Sequence, residues 1–298
     1  MSVAPLAGPV AAGGEPTRGH VALRDVHLRF ESGRQSIDAV QGFDLEVRPG
    51  EFVSLIGPSG CGKSTLLNVV AGFIAPTAGA ALVDGEPIRG PGADRGMVFQ
   101  QYSLFPWKTV RQNVEFGFKM KGVGRARREE AARTLLGIAG LLAFENHYPD
   151  QLSGGMRQRV GIVRALATSP RVLLLDEPFG ALDAQTRAVM QQILTNMWQK
   201  LRISVLFVTH DIEEAIFLSD RIYVMTARPG RLKMMLPVPL PRPRDPAMTS
   251  SPQFMALRRT VSDLIREESL KAMGMELGDG LLDGLSIDAR GKDLAAML

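Results

Sequence analysis

The chain of 298 residues carries one cysteine, three tyrosines, two tryptophans and four histidines. A lone cysteine excludes an intramolecular disulfide and any multi-cysteine zinc site, and it suits a reducing compartment. Strong charge of either sign is also missing. Thirty-five basic and 31 acidic side chains leave a net charge of +4, too weak a bias to argue for nucleic acid. The N-terminus lacks the basic n-region and continuous apolar h-region of a secretory signal. One charge-free run, Ser64 to Val83, is nominally long enough to span a bilayer. It contains Ser64, Thr65, Asn68 and Thr77, and Pro76 would break a helix midway, so no membrane span is expected.

What is present is ordinary globular material, with 45% hydrophobic and 22% charged residues. Global disorder is not expected. Thirty-one glycines are an excess over the roughly 7% average, and they ask for loops where backbone approaches something closely. The length accommodates one large domain with appendages or two modest ones.

Val21–Phe30 and Ile37–Val47 read as two strands around a Glu31–Gly33 turn, an antiparallel opening. Glu51–Ile56 is a short apolar strand that runs into glycines and then a helix from about Lys63 to Phe73. Val172–Leu175 and Val205–Val208 are continuously apolar, the pattern of strands buried on both faces of a parallel sheet. Between residues 101 and 152 the character is helical, and Arg125, Arg127, Arg128, Glu129 and Glu130 read as a solvated helix face. The Pro-rich basic passage Arg228–Arg244 is not expected to form a regular element. A helix is predicted after Ser251-Pro252, with Phe254, Leu257, Val261, Leu264 and Ile265 on one core-facing stripe. Gly278 to Leu298 carries no legible chemistry. The expected organisation is a disordered tail over 1–18, a main domain over 19–235 with a helical subdomain at about 101–165, and a Pro-rich linker with a C-terminal helical extension over 236–298.

Gly57-Pro58-Ser59-Gly60-Cys61-Gly62-Lys63-Ser64 matches the P-loop pattern G-x-x-x-x-G-K-[ST]. Glycines let backbone N–H groups curl around phosphates, and the helix beginning near Lys63 points its positive end at them. Lys63 would reach the β- and γ-phosphates, and the Ser64 hydroxyl would sit on Mg²⁺. The rival dinucleotide fingerprint fails, because Thr65 stands where its third glycine would fall. A P-loop needs a carboxylate for the metal, and Val172–Leu175 delivers Asp176 and then Glu177 at the end of a buried strand. Asp176 would hold Mg²⁺ through water, and Glu177 is placed to orient the attacking water; the bland alternative is an acid capping the turn at Pro178. Cys61 lies beside Lys63 at a helix start, which would lower its pKa and make it reactive. The alternative is a small, buried, inert residue at a variable motif position.

Leu152-Ser153-Gly154-Gly155-Met156-Arg157-Gln158 separates this chain from kinases and GTPases. It resembles the signature of ATP-binding cassette (ABC) ATPases, whose other motifs follow in order. Gln100 resembles the Q-loop glutamine, Asp183 in Ala181-Leu182-Asp183 the D-loop aspartate, and His210 in Val208-Thr209-His210-Asp211 the switch histidine. Phe30 takes the position of the adenine-stacking aromatic, where tyrosine is commoner. The resemblance covers about residues 20–235. It implies an α/β fold: a P-loop NTPase core with a mainly parallel sheet, an N-terminal antiparallel β subdomain and an inserted helical subdomain. It further implies ATP and Mg²⁺ as cofactors, with Thr65 in the phosphate site and Gln100 touching the metal.

In this family the signature of one subunit closes on ATP held by the P-loop of another, so a head-to-tail dimer with itself or a paralogous ATPase is implied. The interval from Lys63 to Ser153 is too short for the coiled coil of chromosome-type members, and one cassette excludes the two-cassette translation type. A transport motor is the expected class; a soluble ATPase of an assembly or lipid-trafficking complex is the alternative. Leu104-Phe105-Pro106-Trp107, Asp211–Arg221 and Thr226-Ala227-Arg228-Pro229-Gly230-Arg231 resemble bacterial importers of the nitrate/sulfonate/taurine group. The packing of sheet and helices is the bland reading of these segments. The implied partners are integral membrane permease subunits and, indirectly, a solute-binding protein, with no nucleic acid. The implied place is the cytoplasmic face of the bacterial inner membrane.

Overall fold

Alternating apolar residues build the first strands, and a slip in that alternation shows how the chain accommodates itself. The computed structural model describes residues 17–32, 35–101 and 103–273. The tail expected over 1–18 lies outside the described residues except for its last two, as do the end of the Glu31–Gly33 turn and the stretch 278–298. β1 (Val21–Ser32) pairs antiparallel with β2 (Gln35–Val47). Val21, Leu23, Val26 and Leu28 are all buried, and register shifts after Leu23 absorb the change from odd to even positions.

β3 (Phe52–Ile56) is buried throughout and leads through the glycine loop into α1 (Lys63–Ala71). The charge-free run therefore resolves into α1 and β4 (Ala78–Val83), separated by the left-handed cap at Gly72. Among the described residues no helix is long and apolar enough to cross a membrane. With β5 (Glu86–Pro87), β4 completes a four-stranded sheet of order β2-β1-β4-β5.

After β6 (Arg95–Val98) come α2 (Val110–Met120), α3 (Arg125–Ile138) and α4 (Gly154–Leu166). On α3 the charged run faces solvent, with Arg125 paired to Glu129 at 2.8 Å and Arg128 to Glu115 of α2 at 3.3 Å. β7 (Val172–Asp176), α5 (Ala184–Leu201), β8 (Ser204–Val208), α6 (Ile212–Leu218) and β9 (Arg221–Met225) complete the α/β alternation.

The second sheet has the order β10-β9-β3-β8-β7-β6, where β10 (Leu232–Pro237) alone runs antiparallel, against β9. Its strands feed two cores by simple alternation. Phe52, Leu173, Leu175, Val205 and Phe207 pack into the core shared with the helices α2 to α6. Val53, Leu55, Val172, Leu174 and Leu206 pack on the opposite face against α1 and the first sheet. Burying each such side chain is worth about 1.5–3 kcal/mol, which is why these strands read as unbroken apolar runs.

The passage Arg228–Arg244 corrects the expectation of irregular chain, because it contains β10. An edge strand needs ladder bonds on one side only, so it tolerates Pro237 at its end. Beyond it Val238 and Leu240 are buried, and Arg242 lies 4.1 Å over the Trp198 ring. α7 (Pro252–Ala272) then starts at a Ser251 cap and buries Phe254 and Val261 on the stripe expected of it.

The far end of α7 is held by charge. Hydrogen bonds from Lys233 and then Lys271 hold the Glu267 carboxyl down at about 2. Burial works to raise Glu268, but hydrogen bonds from Lys233, the Ala227 N–H and Lys271 keep it below the usual range. A depressed folded pKa adds stability above the unfolded value near 4.5 and loses it as pH falls toward about 2. Amide exchange should therefore show α7 losing protection before the parallel sheet over that acid window. Simultaneous loss of both would contradict this account.

Candidate nucleotide site

Parallel strands bring their carboxyl ends to one edge of a sheet, and four of them converge here. The glycine loop follows β3, Asp176 ends β7, Thr209 and His210 follow β8, and Gln100 lies exposed two residues past β6. Gly60 and Gly62 take φ values of 75° and 106°, left-handed angles that an L side chain would strain. A Cβ on Gly62 would also lie 2.9 Å from Val40 Cγ2. The chain can then turn directly into α1, whose first amides face the loop.

Lys63 is 6% exposed and donates from Nζ to the carbonyls of Gly57 and Pro58 at 2.8 and 3.0 Å. Ser64 Oγ donates to Asp176 Oδ1 at 2.8 Å. Burial pushes the Asp176 carboxyl up; the Ser64 hydrogen bond opposes this, and the neighbouring Glu177 charge adds to it. Glu177 itself has a φ of 43°, a conformation that costs a non-glycine residue roughly 1–2 kcal/mol. It is held by its N–H donating to the Val208 carbonyl at 2.9 Å and by His210 Nδ1 at 3.1 Å from Oε2.

Phe30 and Ile37 face each other across β1 and β2 and are 40% and 39% exposed. Together with Ala39, Ser59, Gly60, residues Gly62 to Thr65, Glu177 and Arg228, they line one cleft of about 350 Å³. The cleft thus joins an apolar lip, the glycine loop, a lysine and the Glu177 carboxylate.

Cys61 is the exception among the loop residues. Its side chain is 1% exposed and lies against Met225, with Sγ 4.0 Å from the methionine sulfur. Burial pushes the thiol up, and the nearby Lys63 charge does not offset it. The expectation of a lowered pKa and a reactive thiol is overturned, because the helix-dipole argument assumed a side chain facing the phosphates.

Ser153, Gly154 and Gly155 do not line the cleft. Ser153 caps α4, its Oγ accepting the Met156 N–H at 3.3 Å. Asp183 caps α5, accepting the N–H groups of Gln185 and Thr186 at 3.1 and 3.0 Å. The two caps approach closely: a Cβ on Gly155 would lie 2.6 Å from Thr186 Cγ2, so a larger residue there would displace that side chain.

Three site-shaping residues were not visible beforehand. Arg187 donates to Asp211 at 3.0 Å and to the Leu182 carbonyl at 3.0 Å, tying the segment before Asp183 to the residue after His210. Buried Asn113 accepts the Phe105 N–H and donates to the carbonyls of Lys108 and Thr109, which folds the loop that carries Trp107, 70% exposed. The capping box of Thr109 and Gln112 signals the adjacent helix start in the sequence. The third, Arg228, lies in the Thr226–Arg231 segment noted in the sequence, but nothing local to it signals its contact with the P-loop.

An α/β fold with this loop, lysine and strand-end carboxylate defines a P-loop nucleoside-triphosphate site. Residues 40–180 match the profile of the ABC transporter family. An uncharacterized ABC transporter ATP-binding protein of Methanocaldococcus jannaschii is 49% identical over 82% of this chain and 90% of its own length. The nitrate import ATP-binding protein NrtD of Synechocystis is 47% identical over 83% of this chain and 95% of its own. The taurine import ATP-binding protein TauB of Yersinia pestis is 47% identical over 76% and 91%. A solved ATP-binding cassette, dimeric in a post-hydrolysis state with ADP and phosphate bound, superposes with a TM-score of 0.66 at 35% identity, covering 73% of this chain and 98% of that one. The chain belongs to the ABC transporter ATP-binding family, and it is an ATPase.

Alkylation checks the corrected cysteine. Iodoacetamide should leave Cys61 unmodified in the native protein and label it on unfolding, as read by mass spectrometry. Rapid native labelling would mean that the thiol faces the cleft after all.

Proposed function

We propose that this chain is the ATP-hydrolysing motor subunit of a bacterial ABC importer, energising uptake of a small solute of the nitrate, sulfonate or taurine kind through separate membrane permease subunits. The observation that carries the reading is the split site: P-loop, Asp176, Glu177 and His210 meet at one edge of the sheet, whereas the Ser153 signature lies outside their cleft. A second cassette, head to tail, supplies the missing signature. The names of the relatives favour import over the assembly-complex alternative. In this reading residues 19–235 form the ATPase domain and about 101–165 its helical subdomain. The protein works at the cytoplasmic face of the inner membrane, held by the permease and served indirectly by a solute-binding protein.

The residues would divide the chemistry as follows. Phe30 stacks on adenine, while the amides of Gly57 to Thr65 and the Lys63 ammonium neutralise the phosphates. The Ser64 hydroxyl and Asp176 carboxylate are hard oxygen donors 2.8 Å apart, a set that fits Mg²⁺ with Asp176 acting through water and Gln100 joining from just past β6. Held there, Mg²⁺ would supply charge neutralisation to the phosphates. Glu177 orients the attacking water and accepts its proton, and His210, fixed through Glu177, faces the γ-phosphate. Ser153, Gly154, Gly155 and Asp183 act on the ATP of the partner cassette, where the capped N-terminus of α4 offers its dipole to phosphate.

Glu177→Gln should keep ATP binding and lower turnover on the order of 10²- to 10⁴-fold, trapping an ATP-bound dimer visible by size exclusion. Near-normal ATPase activity in the purified complex would remove Glu177 from this role.

Trp107 stands exposed on the loop that Asn113 ties down, with its ring 5.7 Å from that of Phe105 between centroids. Its ring is offered to a permease helix as an aromatic contact. Trp107→Ala should impair permease co-purification or transport while ATP affinity stays within about twofold. Loss of ATP affinity with docking intact would make Trp107 a folding residue.

A further inference from the structure

The loop between β9 and β10 has no part in the mechanism above, yet it is built against the P-loop. It is closed on itself by Thr226 N–H to the Arg231 carbonyl at 3.0 Å and by Arg231 N–H to Thr226 Oγ1 at 2.9 Å. Gly230 bonds both ways with β2, its N–H donating to Ala39 at 2.9 Å and its carbonyl accepting from Gln41 at 3.0 Å. A Cβ on Gly230 would lie 2.2 Å from the Cys61 carbonyl, so the loop lies flush on the back of the phosphate cradle. Two residues earlier, Arg228 donates from Nε and Nη2 to the Gly60 carbonyl at 3.3 and 3.0 Å. Its exposed side chain lines the same cleft as Phe30, Ile37 and the P-loop.

We propose that Arg228 is a nucleotide-binding residue that contacts the sugar–α-phosphate segment of ATP, and that the C-terminal helix α7 positions it. The inference rests on the nucleotide reading of the cleft. Location supports it: β2 carries the apolar lip at Ile37 and the attachment of this loop at Ala39, so Arg228 lies between the base end and the phosphate loop. Chemistry supports it as well. A guanidinium has five N–H donors, and one carbonyl occupies Nε and Nη2 in a fork that leaves capacity for an anionic oxygen. Lys63 is already bound to two loop carbonyls, which makes Arg228 the exposed cation of the cleft lining.

The positioning argument follows one hydrogen-bond path. Glu268 of α7, 3% exposed, accepts the Ala227 N–H through Oε2 at 2.9 Å and the Lys233 ammonium through Oε1 at 2.7 Å. The residue adjoining Arg228 is thereby fastened to a helix whose own stripe is buried at Phe254 and Val261. A C-terminal element outside the family motifs would in this way set nucleotide affinity without touching the γ-phosphate end.

Calorimetric titration of the full chain with Mg-ADP and Mg-ATP tests this. Arg228→Ala should weaken both nucleotides alike by about tenfold, raising KM with little change in kcat. Arg228→Lys should recover part of the loss. Arg228→Gln keeps a donor for the Gly60 carbonyl but no charge, and should bind as weakly as the alanine variant. Glu268→Gln should shift affinity the same way by a smaller factor. Unchanged ADP affinity in Arg228→Ala overturns the proposal, and so does full recovery by glutamine, which would make Arg228 a cap on the P-loop. A loss confined to ATP overturns the α-phosphate placement. Unchanged affinity in Glu268→Gln overturns the role of α7. Wild-type protein that binds neither nucleotide defeats the nucleotide reading itself, and this inference with it.

Discussion

The hydrogen bond from Ser64 to Asp176 joins the start of α1, which follows β3, to the end of β7, a strand that is not a neighbour of β3. β8 lies between β3 and β7, so the bond closes only if the P-loop curls back over the end of β8. Left-handed Gly60 and Gly62 permit that curl, and the two-core packing of β3 fixes where it starts. The adjacent pair of strands sets the rest of the site by register. Asp176 lies opposite Val208, so Glu177 and His210 follow one and two residues beyond the paired strand ends, and the left-handed turn at Glu177 lets them meet at 3.1 Å. A slip of one residue would turn the Asp176 side chain at the end of β7 to the other face. The chemistry of the site is therefore a consequence of strand register, and register is a consequence of unbroken apolar burial.

This explains why so much of the site was legible in the sequence. P-loop, strand-end carboxylates and switch histidine each sit within a few residues of a strand whose apolar run is unmistakable. Backbone geometry then carries them to a common edge without any long-range information. Ser153 and Asp183 are legible for the same reason, since each caps the helix that follows it directly.

The failures have a common cause in contacts distant along the chain. Proline and arginine made Arg228–Arg244 look irregular, but pairing to β9 on one side alone was enough to make β10 a strand. The reactive reading of Cys61 rested on its sequence neighbours alone, whereas its side chain is buried against Met225, 164 positions away, which fits the alternative of a small buried residue. Arg187 and Arg228 act on carbonyls and carboxylates that no local pattern announces. Side-chain direction, more than secondary structure, was the missing quantity.

Two mechanical supports serve opposite ends of the proposed nucleotide site. At the γ-phosphate end, Arg187 ties the segment before Asp183 to Asp211, and Thr209 donates to buried Glu214, so His210 is mounted on a closed polar network. Burial pushes the Glu214 carboxyl up, and the Thr209 hydroxyl and Arg187 oppose that shift. At the base end, β2, the 226–231 loop and α7 brace one another through Gly230 and Glu268. None of the hydrogen bonds named here links the two supports except through the P-loop itself. Affinity and turnover can thus be set by separate parts of the chain, and in a dimeric motor that separation matters. In the proposed dimer, one cassette would hold ATP at its base end while the γ-phosphate end waits for the partner's signature.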